Sequence, residues 1–183
     1  GIQAHEPVGM RFPLDQVRRI LDLYAGLGLP LHITEFTPAS GGQPILGSHL
    51  EGAWDEERQA DYAVKFYTAC FAHPAVEAIT WWDLSDQGAW QPGGGLLRAD
   101  LSPKPAYHAL RKLLTETWRT RAEGRTGADG AWGFRGFPGD YAIRLGPDPA
   151  APERTVTLGA SGSTDIILQE NDRHEPVPLP ERP

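Results

Sequence analysis

A single cysteine, Cys70, is all the thiol chemistry this chain possesses, so an internal disulfide is excluded and no cysteine metal motif exists. It falls within a helical pattern, where a small buried structural thiol is the expected role. Seventeen lysines and arginines face 24 aspartates and glutamates, a net charge of −7, and no basic run is present. With nothing to neutralise phosphates, nucleic acid is not an expected partner. No apolar run approaches the roughly 18–20 residues that cross a bilayer, so no membrane partner is expected. The opening "GIQAHEPVGM" has neither an initiator methionine nor a signal peptide, and reads as starting within a longer protein. What remains is ordinary for a globular chain: 40% hydrophobic and 22% charged over 183 residues, room for one domain or one domain plus a small module.

Strand-like and helix-like stretches alternate over residues 1–118. "GIQAH" reads as a strand. "PLDQVRRILDLYAGLG" sets Leu14, Val17, Ile20, Leu21, Tyr24 and Leu27 on one stripe, with Pro13 suited to the first turn and Gly26 or Gly28 to the stop. "LHITEF" follows as a strand with β-branched Ile33 and Thr34. The polar loop "GSHLEGAWDEERQ" ends in acids suited to a helix N-terminus. The next helix carries Ala63, Phe66, Tyr67, Cys70 and Phe71 on its apolar side and is closed by Pro74. "VEAITWWDL" is the third strand. "SPKPAYHALRKLLTETW" is a last helix, with Ser102 expected as N-cap, Pro103 at the first helical position, and Leu110, Leu113 and Leu114 facing inward. This alternation predicts an α/β architecture of parallel βαβ units. Three such units alone would leave open edges.

Composition changes after Trp118. Residues 119–170 are rich in glycine and proline, with "YAIRL", "RTVTLG" and "DIILQ" as short strands and turns at "GADG" and "FPGD"; they predict a small antiparallel, sandwich-like β module. Residues 171–183, "DRHEPVPLPERP" and its preceding residue, form a proline-rich tail with little to bury.

The candidate site comes from the ends of the three strands. The first ends in Gln3 and His5, the second in Glu35, the third in Trp82 and Asp86, with Trp90 just beyond. Parallel strands of one barrel present their C-terminal ends on the same side. Each residue alone has a bland reading: a solvated glutamate, a structural histidine, core tryptophans. Together they suit glycoside cleavage. Indole faces stack on sugar C–H faces, amide and imidazole meet hydroxyls, and a carboxylate attacks the anomeric carbon. Gln3 and His5 would hold Glu35 ionised and oriented.

"GIQAHE", "LPLHITEF", "RQADYAVKFYTACFAHPAVEAITWWDLSDQGAW" and "GLLRADLSPKPAYHALRKLL" follow one another in the order seen in glycoside hydrolase family 10, the endo-1,4-β-xylanases. Over roughly residues 1–115 the chain resembles strands six to eight of that family's (β/α)₈ TIM barrel. The resemblance implies Glu35 as nucleophile, His5 as the residue orienting it, and Gln3, Trp82, Asp86 and Trp90 as substrate-binding. It implies xylan or xylo-oligosaccharides as the partner, no cofactor, no metal, a secreted location and a monomer when full length. The sequence departs from the family twice. Thr37 stands where the family commonly has Asp, two residues after the nucleophile. The family's Trp-Asp-x-x-Asn-Glu motif, which carries the acid/base on strand four, has no counterpart; Glu6, Glu51, Asp83 and Asp86 are acids outside that context. A truncated enzyme, inactive as this fragment alone, is the expectation. Other readings are a related barrel glycanase acting on cellulose or mixed-linkage glucan, and a carbohydrate-binding protein without catalysis. For the C-terminal module the choice lies between a structural cap and a sugar-binding surface of Trp132, Phe134, Phe137 and Tyr141.

Overall fold

The computed structural model describes residues 1–5, 13–45, 50–159 and 165–168. The chain divides into two compact units, 1–117 and 118–183, one residue before the compositional boundary expected at Trp118. Glu6 and the tail 171–183 lie outside the described residues.

The first unit runs β1 (Ile2–His5), α1 (Leu14–Ala25), β2 (Leu31–Thr37), α2 (Glu56–Phe71), β3 (Val76–Trp81) and α3 (Pro105–Lys112), with a π-helical turn at Leu113–Thr117. The strands form a three-stranded sheet ordered β1-β2-β3, parallel at both pairings. Each consecutive parallel pair is joined through a helix, as the crossover between parallel strands requires.

The core lies between β2 and α2. Phe36 is 1% exposed. It stacks on Phe66 at 4.4 Å and meets Tyr67 and Trp81 edge-on at 5.7 and 5.3 Å. Ala63, Phe66, Tyr67 and Cys70 are buried on α2, as their spacing predicted, but Phe71 is 45% exposed. Burial among these rings pushes the Cys70 thiol up to about 12, the behaviour of an inert structural thiol. Asp55 caps α2, its carboxylate accepting from Arg58 N at 2.8 Å, and Glu56 and Glu57 complement the helix N-terminus.

Three local expectations need correction. On α1 only Val17 and Leu21 are buried, while Tyr24 and Leu27 are 45% and 70% exposed. The helix stops at Ala25, so Leu27 lies past the periodic stretch. The last helix begins at Pro105 with Lys104 at the cap, not at Ser102 and Pro103. Ser102 is engaged elsewhere: its N–H and hydroxyl both donate to Asp100 Oδ1, at 2.9 and 2.6 Å. This local turn competes with capping. Leu110 and Leu113 are buried, but Leu114 is 54% exposed.

Among the described residues the second unit contains one antiparallel pair, β4 (Gly139–Arg144) and β5 (Glu153–Leu158), in continuous register from Gly139↔Leu158 to Arg144↔Glu153. Arg144–Glu153 and Thr157–Asp140 side-chain contacts reinforce it. "YAIRL" and "RTVTLG" therefore pair as antiparallel strands. The third expected strand does not form at 165–168; there Arg154 Nη1 donates to the Ile167 carbonyl at 3.1 Å, a side-chain tether in place of a ladder. Among the described residues the module is a hairpin rather than a sandwich. Trp132 and Phe134 stack at 5.5 Å, and Phe134 meets Tyr141 at 5.4 Å. Gly124 lies beneath the Trp132 indole, where a Cβ would come within 1.9 Å of Nε1.

Candidate active site

Parallel pairing sets Gln3 opposite Glu35. Gln3 Nε2 donates to Glu35 Oε1 at 2.7 Å, a bond that fixes the carboxylate's orientation. The residues after Glu35 settle one question raised by its position. Phe36, Thr37, Pro38 and Ala39 are all buried, so Glu35 is not simply the first solvated residue beyond a strand. It is a partly exposed acid held between a buried strand and a buried turn. His5 ends β1; its side chain lies outside the described part.

Thr37 is fully buried. A Cβ added to Gly94 would come within 2.7 Å of the Thr37 methyl, so this position packs against the loop that follows β3.

That loop carries the two tryptophans. Trp82 N donates to the Phe36 carbonyl at 3.0 Å, tying the end of β3 to the residue next to Glu35. Trp81 turns the other way: it packs edge-on against Phe36 on the α2 side, and its Nε1 donates to the Gly94 carbonyl at 2.9 Å. Trp82 and Trp90 are 50% and 60% exposed, large indole surfaces left open to solvent beside the acid-bearing strand. Asp83 Oδ1 accepts from Trp90 N at 3.3 Å, which folds the loop so that Trp90 returns toward Trp82.

Asp86 has partners within the chain that its motif did not announce. Its Oδ1 accepts from Lys104 Nζ at 2.7 Å and from Gly95 N at 2.9 Å. Lys104 is 0% exposed, and a buried ammonium demands a carboxylate partner. Asp86 Oδ1 is therefore held in an ion pair inside the loop, with the Asp86 side chain 22% exposed. The motif spacing gave no sign of this, because the lysine lies 18 residues further on.

Several residues that the sequence reading passed over turn out to build the loop. Gln59, fully buried on α2, donates from Nε2 to the Pro38 and Gly93 carbonyls, both at 2.8 Å. Ser40 Oγ donates to Gly93 O at 2.8 Å, and Gln43 Nε2 to Pro92 O at 2.6 Å. Gly93, Gly94 and Gly95 admit this crowding only because they lack side chains. A Cβ at Gly93 would come within 2.5 Å of Gly41 N, and one at Gly95 within 2.4 Å of the Ser85 carbonyl carbon. The available signals were the run of three glycines, a glutamine amid an apolar helix face, and a lysine between two prolines. At the far end, Arg98 makes a bidentate pair with Glu56 at 2.8 and 2.6 Å. Glu56 raises the Arg98 pKa by hydrogen bonding.

Among the described residues no group of histidine, cysteine, aspartate or glutamate could hold a metal ion, and no helix is long and apolar enough to cross a membrane. The arrangement offers a positioned carboxylate, an amide that orients it, and two open indoles on a braced loop.

The chain is similar to several known proteins. The chain is 29% identical over 172 residues to the anti-sigma-I factor RsgI6 of Acetivibrio thermocellus, a match covering 93% of this chain and 19% of that protein. It is 32% identical over 129 residues to endo-1,4-beta-xylanase B of Thermotoga neapolitana, covering 66% of this chain and 35% of that one. The crystal structure of xylanase 10B from Thermotoga maritima matches 63% of this chain and 35% of its own at 30% identity, with a TM-score of 0.49. The chain thus spans about a third or less of the length of these curated relatives. The model of glycosyl hydrolase family 10 matches residues 1–113, more than half of the chain, and the chain belongs to that family.

Proposed function

We propose that this chain contributes the nucleophile half of a retaining endo-1,4-β-xylanase site. Glu35 attacks the anomeric carbon of a β-1,4-linked xylose unit; its C–O bond forms as the glycosidic bond breaks, and water then releases the sugar from the glycosyl-enzyme. Gln3 and His5 orient the carboxylate, while Trp82 and Trp90 supply stacking faces for the sugar rings. The acid/base carboxyl that protonates the leaving oxygen comes from a segment of the barrel outside these 183 residues, since the family's Asn-Glu motif has no counterpart here. Residues 1–113 are, in this reading, the last three βα units of the (β/α)₈ barrel. Thr37 in place of the usual Asp leaves Glu35 without a second acid two residues on. The full-length protein acts as a secreted monomer on xylan, with no cofactor.

The observation that carries the reading is the 2.7 Å bond from Gln3 to Glu35, at neighbouring ends of parallel strands in a chain of this family. In the full-length protein, Glu35→Ala should lower turnover of an aryl xylobioside by about 10⁴-fold or more. A fall of less than tenfold would refute the assignment.

A second reading has its own support. The match to the anti-sigma-I factor, a protein not named as a hydrolase, covers 93% of the chain, which suits a family 10 domain serving a role other than cleavage, such as carbohydrate binding. Binding of xylan without cleavage by the full-length protein would favour that role.

A further inference from the structure

Lys104 is the least expected charge in the molecule: a lysine with 0% exposure at the N-terminal boundary of α3. Its ammonium has three N–H groups and three oxygen partners: Ser40 Oγ at 3.0 Å, Asp86 Oδ1 at 2.7 Å and Gly93 O at 2.9 Å. Ser40 belongs to the segment that leaves β2 just after Glu35. Asp86 and Gly93 flank Trp90 in the loop that leaves β3. One buried cation thus joins the segment bearing the acid to the loop bearing the open indoles.

We propose that Lys104 is a positioning residue that sets where Trp82 and Trp90 stand relative to Glu35, and so controls how tightly a β-1,4-linked xylo-oligosaccharide is held. The inference rests on the proposed function above. The geometry supports a positioning role over simple filling of space. Besides its own backbone bonds around Leu97, the loop is tied to its neighbours by polar bonds at Gly93 and Gly95. Gly93 O accepts from Ser40, Gln59 and Lys104 together. Gly95 N donates to the same Asp86 oxygen that receives Lys104. Removing the ammonium leaves Asp86 without its counter-charge and Gly93 and Ser40 without a shared donor. The loop then loses its charged tie to the segment after β2 and keeps only neutral ones, to Ser40, Gln43, Gln59 and the Phe36 carbonyl, so it is held less stiffly while the Phe36 rings are untouched. Stacking faces bind ground state and transition state alike, so their displacement raises KM more than it lowers kcat.

The test uses the full-length protein with Lys104→Met, and Ser40→Ala as a milder variant that keeps the ion pair and removes the two hydroxyl bonds, to Lys104 and to Gly93 O. Two readouts run in parallel: KM and kcat on xylohexaose, and amide exchange at Trp90 and Gly95 with Phe66 of α2 as internal reference. Lys104→Met should raise KM at least tenfold with kcat changed less than threefold. Exchange at Trp90 and Gly95 should quicken at least tenfold while Phe66 stays within twofold. Ser40→Ala should move both readouts in the same direction by about threefold, and decides the matter if Lys104→Met does not fold. Unchanged exchange at Trp90 and Gly95 would overturn the proposal. So would uniform acceleration that includes Phe66, or faster loop exchange with KM unaltered. If the parent protein neither binds nor cleaves xylohexaose, the proposed function fails instead, and the exchange readout alone decides the positioning role of Lys104.

Discussion

Phe36 stands next to Glu35, and its replacement probes whether the acid is held by the packed layer behind it. The side chain is 1% exposed and meets four rings: Phe66, Tyr67, Trp81 and Tyr62, the last at 6.2 Å. Replacing a buried phenylalanine by alanine costs about 3–5 kcal/mol. Aromatic pairs add about 0.5–1.5 kcal/mol each beyond their buried area, though not additively. With so many partners in rigid elements the cavity has little means of collapsing, so the upper end, about 4–5 kcal/mol, is expected. At a urea slope of about 2 kcal/mol/M this displaces the unfolding midpoint by about 2 M. Phe36→Leu, which keeps part of the volume, should lose roughly half as much. The assay is urea unfolding of the full-length protein followed by tryptophan fluorescence. A loss below about 1 kcal/mol for Phe36→Ala would refute the view that this cluster is the keystone behind Glu35.

Trp90→Ala should weaken xylo-oligosaccharide binding by about 1–3 kcal/mol, on the scale of other ring-stacking losses, with little change in stability; calorimetric titration and thermal melting separate the two. Trp81→Ala should do the reverse, costing the fold about 3–5 kcal/mol through loss of its Phe36 contact and its bond to Gly94; exchanged phenotypes would mean that the two indole roles are transposed. Cys70 should resist iodoacetamide at pH 8 in the folded protein and react on unfolding, because burial raises its pKa to about 12. The sign follows from the raised value: the folded state holds the thiol proton more tightly, so this group's contribution is intact below the unfolded pKa of about 8.5 and fades as pH climbs toward 12. Fast alkylation at pH 8 without unfolding would contradict the buried placement.

The sequence made the parallel βαβ alternation legible because apolar spacing along α2 and the β-branched run of β2 reflect burial directly. Gln3 and Glu35 could be paired because parallel strand ends share a side, and the structure gives them a direct bond. The ion pair of Asp86 with Lys104 could not be read from a motif. Whether a carboxylate meets a buried cation depends on Lys104, far along the chain and fixed only once the loop has folded. The start of α3 was misplaced for a similar reason: Ser102 has good capping chemistry, but the Asp100 turn takes its hydroxyl first. In the second unit "DIILQ" has strand composition, yet β-propensity does not create a partner strand.

The central claim is that Glu35 forms the covalent bond to sugar, and labelling tests it most directly. The full-length protein would be treated with a 2-deoxy-2-fluoro-xylobioside bearing a good leaving group, digested, and its peptides sequenced by mass spectrometry. The account predicts one glycosylated peptide, with the modification on Glu35. A stable label on any other carboxylate, or turnover of the reagent that leaves no trapped ester on Glu35, would contradict it.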